Sequence, residues 1–155
     1  QFQDVHNAHF LWLIFLFQLG TLLWSAETAA RRGAFGEAVD RVKSYEALVA
    51  RVGSLEGLAW FPSHGVAARV WGLVCAARGD VTEASAHFAR SIETLREHGY
   101  APDLARSYMA LGEFDAARGA SARAREAFDQ AIEHFRQIGF GRELDQAIAA
   151  RARVV

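Results

Sequence analysis

The sequence predicts an all-α protein: a right-handed α-solenoid of about three helix-turn-helix repeats followed by a C-terminal capping helix. Three observations predict it. Residues 70–100 and 110–140 align at an offset of 40 with many identities, and a weaker third copy lies upstream. In every copy, twenty positions separate two glycines. The glycine pairs are Gly33 and Gly53, Gly79 and Gly99, and Gly119 and Gly139.

Each copy carries the signals of two helices joined by a tight turn. An apolar stretch ends at the pattern A-x-R-G, in which glycine can take a left-handed conformation and arginine complements the helix dipole. Apolar residues then recur at helical spacing, as in Ala84, Phe88 and Ile92. A second glycine ends the second helix. We expect small residues where the paired helices approach closely, at Gly72, Ala84, Gly112 and Ala124.

The elements follow in chain order within a single domain, residues 1–155. The predicted repeats cover residues about 7–53, 62–99 and 102–139, and the capping helix covers residues about 141–153. The longer first spacing places Trp60, Phe61 and Pro62 in a connection. Aromatic residues there can form the lip of a binding site, but we favour the interpretation that they fill the gap between stacked hairpins. Because the chain begins with Gln1 and not with methionine, we expect it to be a fragment of a larger protein.

The uncharged stretch of residues 8–26 is nineteen residues long, which is long enough to consider as a membrane span. It runs directly into the end of the first repeat helix, so we favour one long helix over about 7–32. A helix that is apolar all round must be covered on more than one face. We therefore expect association with another domain or with a second copy of the chain. The candidate association surface is Phe10, Trp12, Leu13, Ile14 and Phe17.

The repeat resembles the tetratricopeptide repeat. Gly112, Gly119, Ala124, Phe128 and Ala131 follow its order of a small residue, a turn glycine, an alanine, an aromatic residue and a second alanine. The period departs from the family's usual value of about 34 residues, since the copies are spaced by 40 and 46 residues. Longer repeats of this kind are similar to the helical arrays of large bacterial signalling proteins, including transcriptional regulators and nucleotide cyclases.

The resemblance implies binding of a protein or peptide along the concave surface that the first helices form. Stacking the copies predicts that this surface contains Arg69, Leu73, Arg106, Met109 and Glu113. Some members of the family clamp a peptide carboxylate there with several basic residues. In this chain Leu73 and Glu113 stand at positions that the clamp would make polar or basic, so we do not expect that mode of binding.

No chemistry-bearing motif stands out in the sequence. It contains no phosphate-binding glycine loop and no hydrolase or metalloprotease signature. His6 and His9 could share a helix face but lack a third metal ligand nearby. The net charge of −1 does not favour nucleic acid, and the single Cys75 fits a reducing, cytoplasmic interior. We therefore expect no enzyme activity, no cofactor and no metal site.

Two functions remain open. The favoured one is a non-enzymatic protein-interaction scaffold, the repeat region of a bacterial regulator. The alternative is an effector-sensing domain that closes on a small ligand and signals to another domain. A specific thermal stabilisation by one compound from a metabolite panel would favour the sensor.

Overall fold

The structure, a computed structural model, describes the backbone of residues 2–52 and 61–155 and the side chains of residues 15, 17–51 and 63–155. These residues form seven α-helices and no strand, which confirms the all-α class and the helical repeats. The helices are α1 (Phe2–Arg31), α2 (Phe35–Val52), α3 (Phe61–Arg78), α4 (Val81–Glu97), α5 (Ala101–Ala117), α6 (Ser121–Ile138) and α7 (Gly141–Ala152).

The helices form two layers. Each even-numbered helix packs most extensively against the helix before it, so that α1 with α2, α3 with α4 and α5 with α6 are hairpins. The odd-numbered helices also contact one another in sequence, from α1 through α3 and α5 to α7. Among the described residues the even-numbered helices make no contact with each other. The array therefore curves toward its odd-numbered helices, which form the concave face.

Glycine ends each helix that precedes a described turn. Gly33, Gly79 and Gly119 have φ angles of 80°, 81° and 74°, which confirms their predicted place at the interhelical turns. The residue after each glycine donates its amide to a carbonyl five residues back, as Asp80 does to Cys75 at 2.9 Å. That bond is the 6→1 contact of a Schellman motif, which requires a left-handed residue. Gly53 lies outside the described residues.

The paired helices touch where a glycine faces a phenylalanine. A Cβ atom added at Gly72 would lie 2.7 Å from Cε1 of Phe88, and one added at Gly112 would lie 2.7 Å from Cε1 of Phe128. Both rings are buried. The equality of the two contacts shows that the repeat recurs in three dimensions, and it explains why these first helices carry glycine in their interiors despite its low helix propensity.

Replacing Ala124 by leucine tests this close packing. Ala124 is fully buried in α6, so the added atoms would overpack the helix contact and lower the free energy of unfolding by about 1–3 kcal/mol. Ala122→Leu is the matched control, because Ala122 is exposed on the same helix. Urea denaturation followed by circular dichroism measures both. Equal midpoints for the two variants would show that Ala124 does not lie in the contact.

Two sequence expectations concern the first half of the chain. The prediction that Phe61 and Pro62 lie in the connection is wrong: they are the first two residues of α3. Proline is well tolerated in the first turn of a helix. Trp60 lies outside the described residues. Within the part of the chain that the structure describes, no helix combines the length and the apolar character that crossing a membrane requires.

Candidate functional site

A groove of about 500 Å³ runs across the concave face. Its walls come from all four odd-numbered helices, and most of the side chains that line it are polar or charged. The lining residues are Trp24, Glu27, Thr28 and Arg31 from α1, Arg69 from α3, Asp103, Arg106, Met109 and Glu113 from α5, Phe135 from α6, and Glu143 and Gln146 from α7.

Arg69 forms the floor of the groove, with only 1% of its surface exposed. Its guanidinium makes a bidentate pair with Glu27, in which Nε lies 3.1 Å from Oε1 and Nη2 lies 2.8 Å from Oε2. Nη2 also donates to Oδ1 of Asp103 at 2.8 Å. Nη1 donates to the Asp103 carbonyl and to the Ser107 hydroxyl, both at 3.0 Å. All five N–H groups are thus used, and Arg69 has none left to donate to a ligand.

The pairs of Arg69 extend in both directions into an ion-pair chain that crosses the groove. On one side, Arg31 lies 3.3 Å from both Glu27 and Glu113. On the other, Arg106 lies 3.5 Å from Asp103 and 3.7 Å from Glu143. Charges of opposite sign alternate along the whole chain. In order, the ion-pair chain is Glu113, Arg31, Glu27, Arg69, Asp103, Arg106 and Glu143.

A hydroxyl relay continues the network into the second layer of helices. Ser107 lies 2.8 Å from Ser91, which donates to the Gly65 carbonyl at 2.7 Å. Ser107 also lies 2.9 Å from the Asp103 carbonyl, and because each hydroxyl carries one proton, the two serines share two protons among these three contacts. Ser91 corresponds to Ala131 of the next repeat, which has no hydroxyl, so this hydrogen bonding occurs in only one copy. Among the described residues, no buried side-chain nitrogen or oxygen lacks a hydrogen-bond partner.

A smaller apolar pocket of about 140 Å³ adjoins the groove. Trp24, Asp103 and Arg106 line both spaces, so the two are adjacent. Trp24 is 69% exposed although it is the largest side chain there. The remaining walls are mainly apolar and come from α1 and from the starts of α3, α5 and α7. They are Gly20, Leu23, Ser63, Val66, Tyr100, Pro102 and Phe140.

The carboxyl group of Glu27 has a strongly altered pKa. Burial raises the pKa, but ion pairing and hydrogen bonding with Arg69 and Arg31 more than offset burial and lower it from 4.5 to about 2. A carboxyl whose pKa is lower in the folded than in the unfolded chain stabilises the fold above the unfolded value. That stabilisation, about 3 kcal/mol, is lost as the pH falls from 4.5 toward 2.

We therefore expect the free energy of unfolding to fall steeply in acid. In Glu27→Gln, part of this dependence on pH should be lost. Urea midpoints measured at a series of pH values give the slope for each variant. Glu93→Gln is the control, because Glu93 is exposed and pairs with no basic side chain among the described residues. The control should keep the wild-type slope. If Glu27→Gln also keeps the wild-type slope, the ion pairs with Arg69 and Arg31 do not lower the pKa of Glu27.

The structure places four of the five predicted concave residues on the groove walls: Arg69, Arg106, Met109 and Glu113. Leu73 does not line the groove; it is half-buried on α3, where it packs against two core clusters that include Ala29 and Ala110.

Of the predicted association surface, Phe17 is described and is 73% exposed on α1. The other four side chains, Phe10, Trp12, Leu13 and Ile14, lie outside the described residues.

Sequence reasoning overlooked most of the ion-pair chain. Glu27 with Arg31 and Asp103 with Arg106 are spaced by four and three residues on first helices, a spacing that signals a pair on one face. The offset of 40 also relates Asp103 to Glu143. These signals were available. The pairing of Arg31 with Glu113 was not, because the two residues are 82 positions apart.

Other reactive groups in the described residues show no sign of chemistry. Cys75 is buried, and burial is the main cause that raises the pKa of its thiol, which keeps it protonated and unreactive. No group of three or more histidine, cysteine, aspartate or glutamate side chains in that part of the chain could hold a metal ion.

Comparison with known proteins agrees with the geometry of the helices. A family model described as tetratricopeptide repeat matches residues 65–137, from the first half of α3 to the last turn of α6. No curated protein and no solved structure matches the chain. The matched segment contains both copies of the glycine–phenylalanine contact and most of two hairpins. Residues 65–137 therefore form a helical repeat of the tetratricopeptide-like kind.

Proposed function

We propose that the chain is a non-enzymatic scaffold that binds a segment of another protein in its concave groove. Tetratricopeptide repeats generally mediate protein–protein interaction. The observation that carries the proposal for this chain is Trp24, which stands exposed between a charged groove and an apolar pocket. Exposed tryptophans beside pockets are typical of residues that dominate binding energy.

The size of the apolar pocket favours one side chain of a polypeptide over a whole small molecule. Small-molecule sites are mostly apolar and occupy about 300–1,000 Å³, whereas the apolar pocket beside Trp24 has about 140 Å³. That space takes a single side chain. The adjoining groove is long and charged, which suits the backbone and polar side chains that flank an anchoring residue. An extended or helical segment with one apolar anchor fits both spaces together.

Selection from a random dodecapeptide library displayed on phage tests the proposal. We expect recovered peptides whose affinity falls about thirtyfold in Trp24→Ala, because loss of a central tryptophan costs about 2 kcal/mol or more. Val81→Ala is the control, since Val81 is exposed on α4 and distant from the groove. Peptides that bind both variants as they bind the original chain would place the interaction elsewhere.

Effector sensing is the second candidate, and the groove volume favours it. A space of about 500 Å³ lies within the range of small-molecule sites. Thermal denaturation against a panel of metabolites discriminates between the two functions. Stabilisation by one zwitterionic or charged compound, lost in Arg106→Gln, would support a sensor. No stabilisation by any compound, together with recovery of groove-binding peptides, would support the scaffold.

The wider setting is also a proposal. We propose that the chain is the repeat region of a larger cytoplasmic bacterial regulator, supported by the long repeat period and by the unpaired thiol of Cys75. We further propose that α1 associates with a second copy through a surface that includes the exposed Phe17. Sedimentation equilibrium of the chain and of Phe17→Ser tests the association. A wild-type monomer at micromolar concentration would rule it out.

A further inference from the structure

The charges of the groove are unevenly neutralised. Each of the three arginines in the ion-pair chain contacts two carboxylates. The carboxylates at its two ends, Glu113 and Glu143, contact one arginine each, and both are partly exposed. Arg31 approaches Oε2 of Glu113, and Arg106 approaches Oε1 of Glu143. The second oxygen of each terminal carboxylate has no arginine partner among the described residues, and four carboxylates against three arginines leave the groove with a negative charge.

We propose that the segment bound in the groove is basic and carries one apolar anchor. This inference rests on the proposed scaffold function and specifies the partner. The anchor occupies the apolar pocket between Trp24 and Phe140, and lysine or arginine side chains reach Glu143 and Glu113. These two glutamates lie on α7 and α5, so the basic groups of the segment are spread along the groove and not clustered.

An acidic segment would meet a higher cost. To bind Arg31 or Arg106 it would have to displace a carboxylate that already pairs with that arginine, and it would leave Glu113 or Glu143 without a cation. Arg69 offers no free N–H group at all. A basic segment breaks no existing pair. The basic segment adds one cation next to each terminal glutamate of the ion-pair chain. Every other charge in the ion-pair chain already contacts two side chains of opposite charge.

Trp24 supports the same assignment. Its exposed ring can stack against the stem of a basic side chain or receive its cation on the ring face. The pocket next to it receives an aliphatic or aromatic side chain. A segment with one apolar residue and basic residues near it therefore matches the apolar pocket and the charged groove that adjoins it.

The test uses the random dodecapeptide library on the original chain after depletion on Trp24→Ala. We expect lysine and arginine to outnumber aspartate and glutamate in the recovered peptides. The most frequent peptide, labelled with fluorescein, is then titrated by anisotropy. Its affinity should fall about tenfold in the double variant Glu113→Gln and Glu143→Gln, since two exposed charge pairs are lost. The remaining affinity should also depend less on salt.

The control is the double variant Glu93→Gln and Glu97→Gln, which removes the same charge from the exposed face of α4 and should bind as the original chain does. An excess of acidic residues in the recovered peptides would overturn the inference, as would equal affinity for both double variants. Either result leaves the scaffold function intact. Failure to recover any peptide that depends on Trp24 would instead overturn the scaffold function together with this inference.

Discussion

Replacing Arg69 by methionine should lower the free energy of unfolding by about 3–5 kcal/mol. The substitution keeps the apolar stem but removes the cation between Glu27 and Asp103. Two carboxylates then face each other in a buried site, and the Asp103 carbonyl and the Ser107 hydroxyl each lose a donor. Breaking a buried pair from one side costs more than the pair contributes, because the remaining charge cannot be hydrated.

Arg106→Met is the matched control for Arg69→Met. Arg106 belongs to the same ion-pair chain, but it is partly exposed and its carboxylate partners lie 3.5 and 3.7 Å away. Its loss should therefore cost less than about 1 kcal/mol. Adding Glu27→Gln to Arg69→Met should recover part of the lost stability. Urea denaturation of the four chains measures these differences, and equal losses for the two arginine variants would show that the burial of Arg69 has no energetic consequence.

Replacing Phe88 or Phe128 by alanine should each cost about 3–5 kcal/mol of unfolding free energy. Both rings are buried against a glycine of the preceding helix, and that glycine has no side chain that could move into the space left by the ring. The cavity therefore stays open and adds to the lost burial of the ring. Phe88 also packs against Phe114 of the next repeat, with ring centroids 5.4 Å apart.

Val81→Ala provides the control for the two core phenylalanines. Val81 is exposed on α4 and lies outside the proposed association surface, so its loss should change the unfolding free energy by less than about 0.5 kcal/mol. Denaturant midpoints and slopes distinguish the cases. Losses below that value for Phe88→Ala and Phe128→Ala would mean that these rings do not hold the hairpins together, and that the repeat is stabilised elsewhere.

The fold could be predicted from the sequence because the same local signals occur in two successive repeats. Gly79 and Gly119 mark turns, and the pairing of Gly72 with Phe88 recurs as Gly112 with Phe128. These contacts lie within one hairpin, so the spacing along the chain fixes them. A turn residue and an apolar period are local signals, and they do not depend on how one repeat is rotated against the next.

The site was only partly readable, because it forms between repeats. Aligning the copies put Arg69 and Leu73 on the same concave surface, one helical turn apart. The structure buries Arg69 completely at the floor of the groove and places Leu73 between the hairpins. Which turn of a first helix faces the groove depends on the stagger of successive repeats. That stagger is a property of the whole array, and no single copy encodes it.

The contact of Arg31 with Glu113 has a consequence for how the array unfolds. In a simple repeat protein each unit interacts only with its neighbours, so stability is a sum of local terms and the ends can melt independently. Here α1 and α5 belong to different, non-consecutive hairpins, yet a side chain of one reaches a side chain of the other across α3. The energy of the first hairpin therefore depends on the third. A modular array would tolerate excision of its middle hairpin. In this protein the excision would remove Arg69 and separate α1 from α5, the two helices that Arg69 joins through its ion pairs.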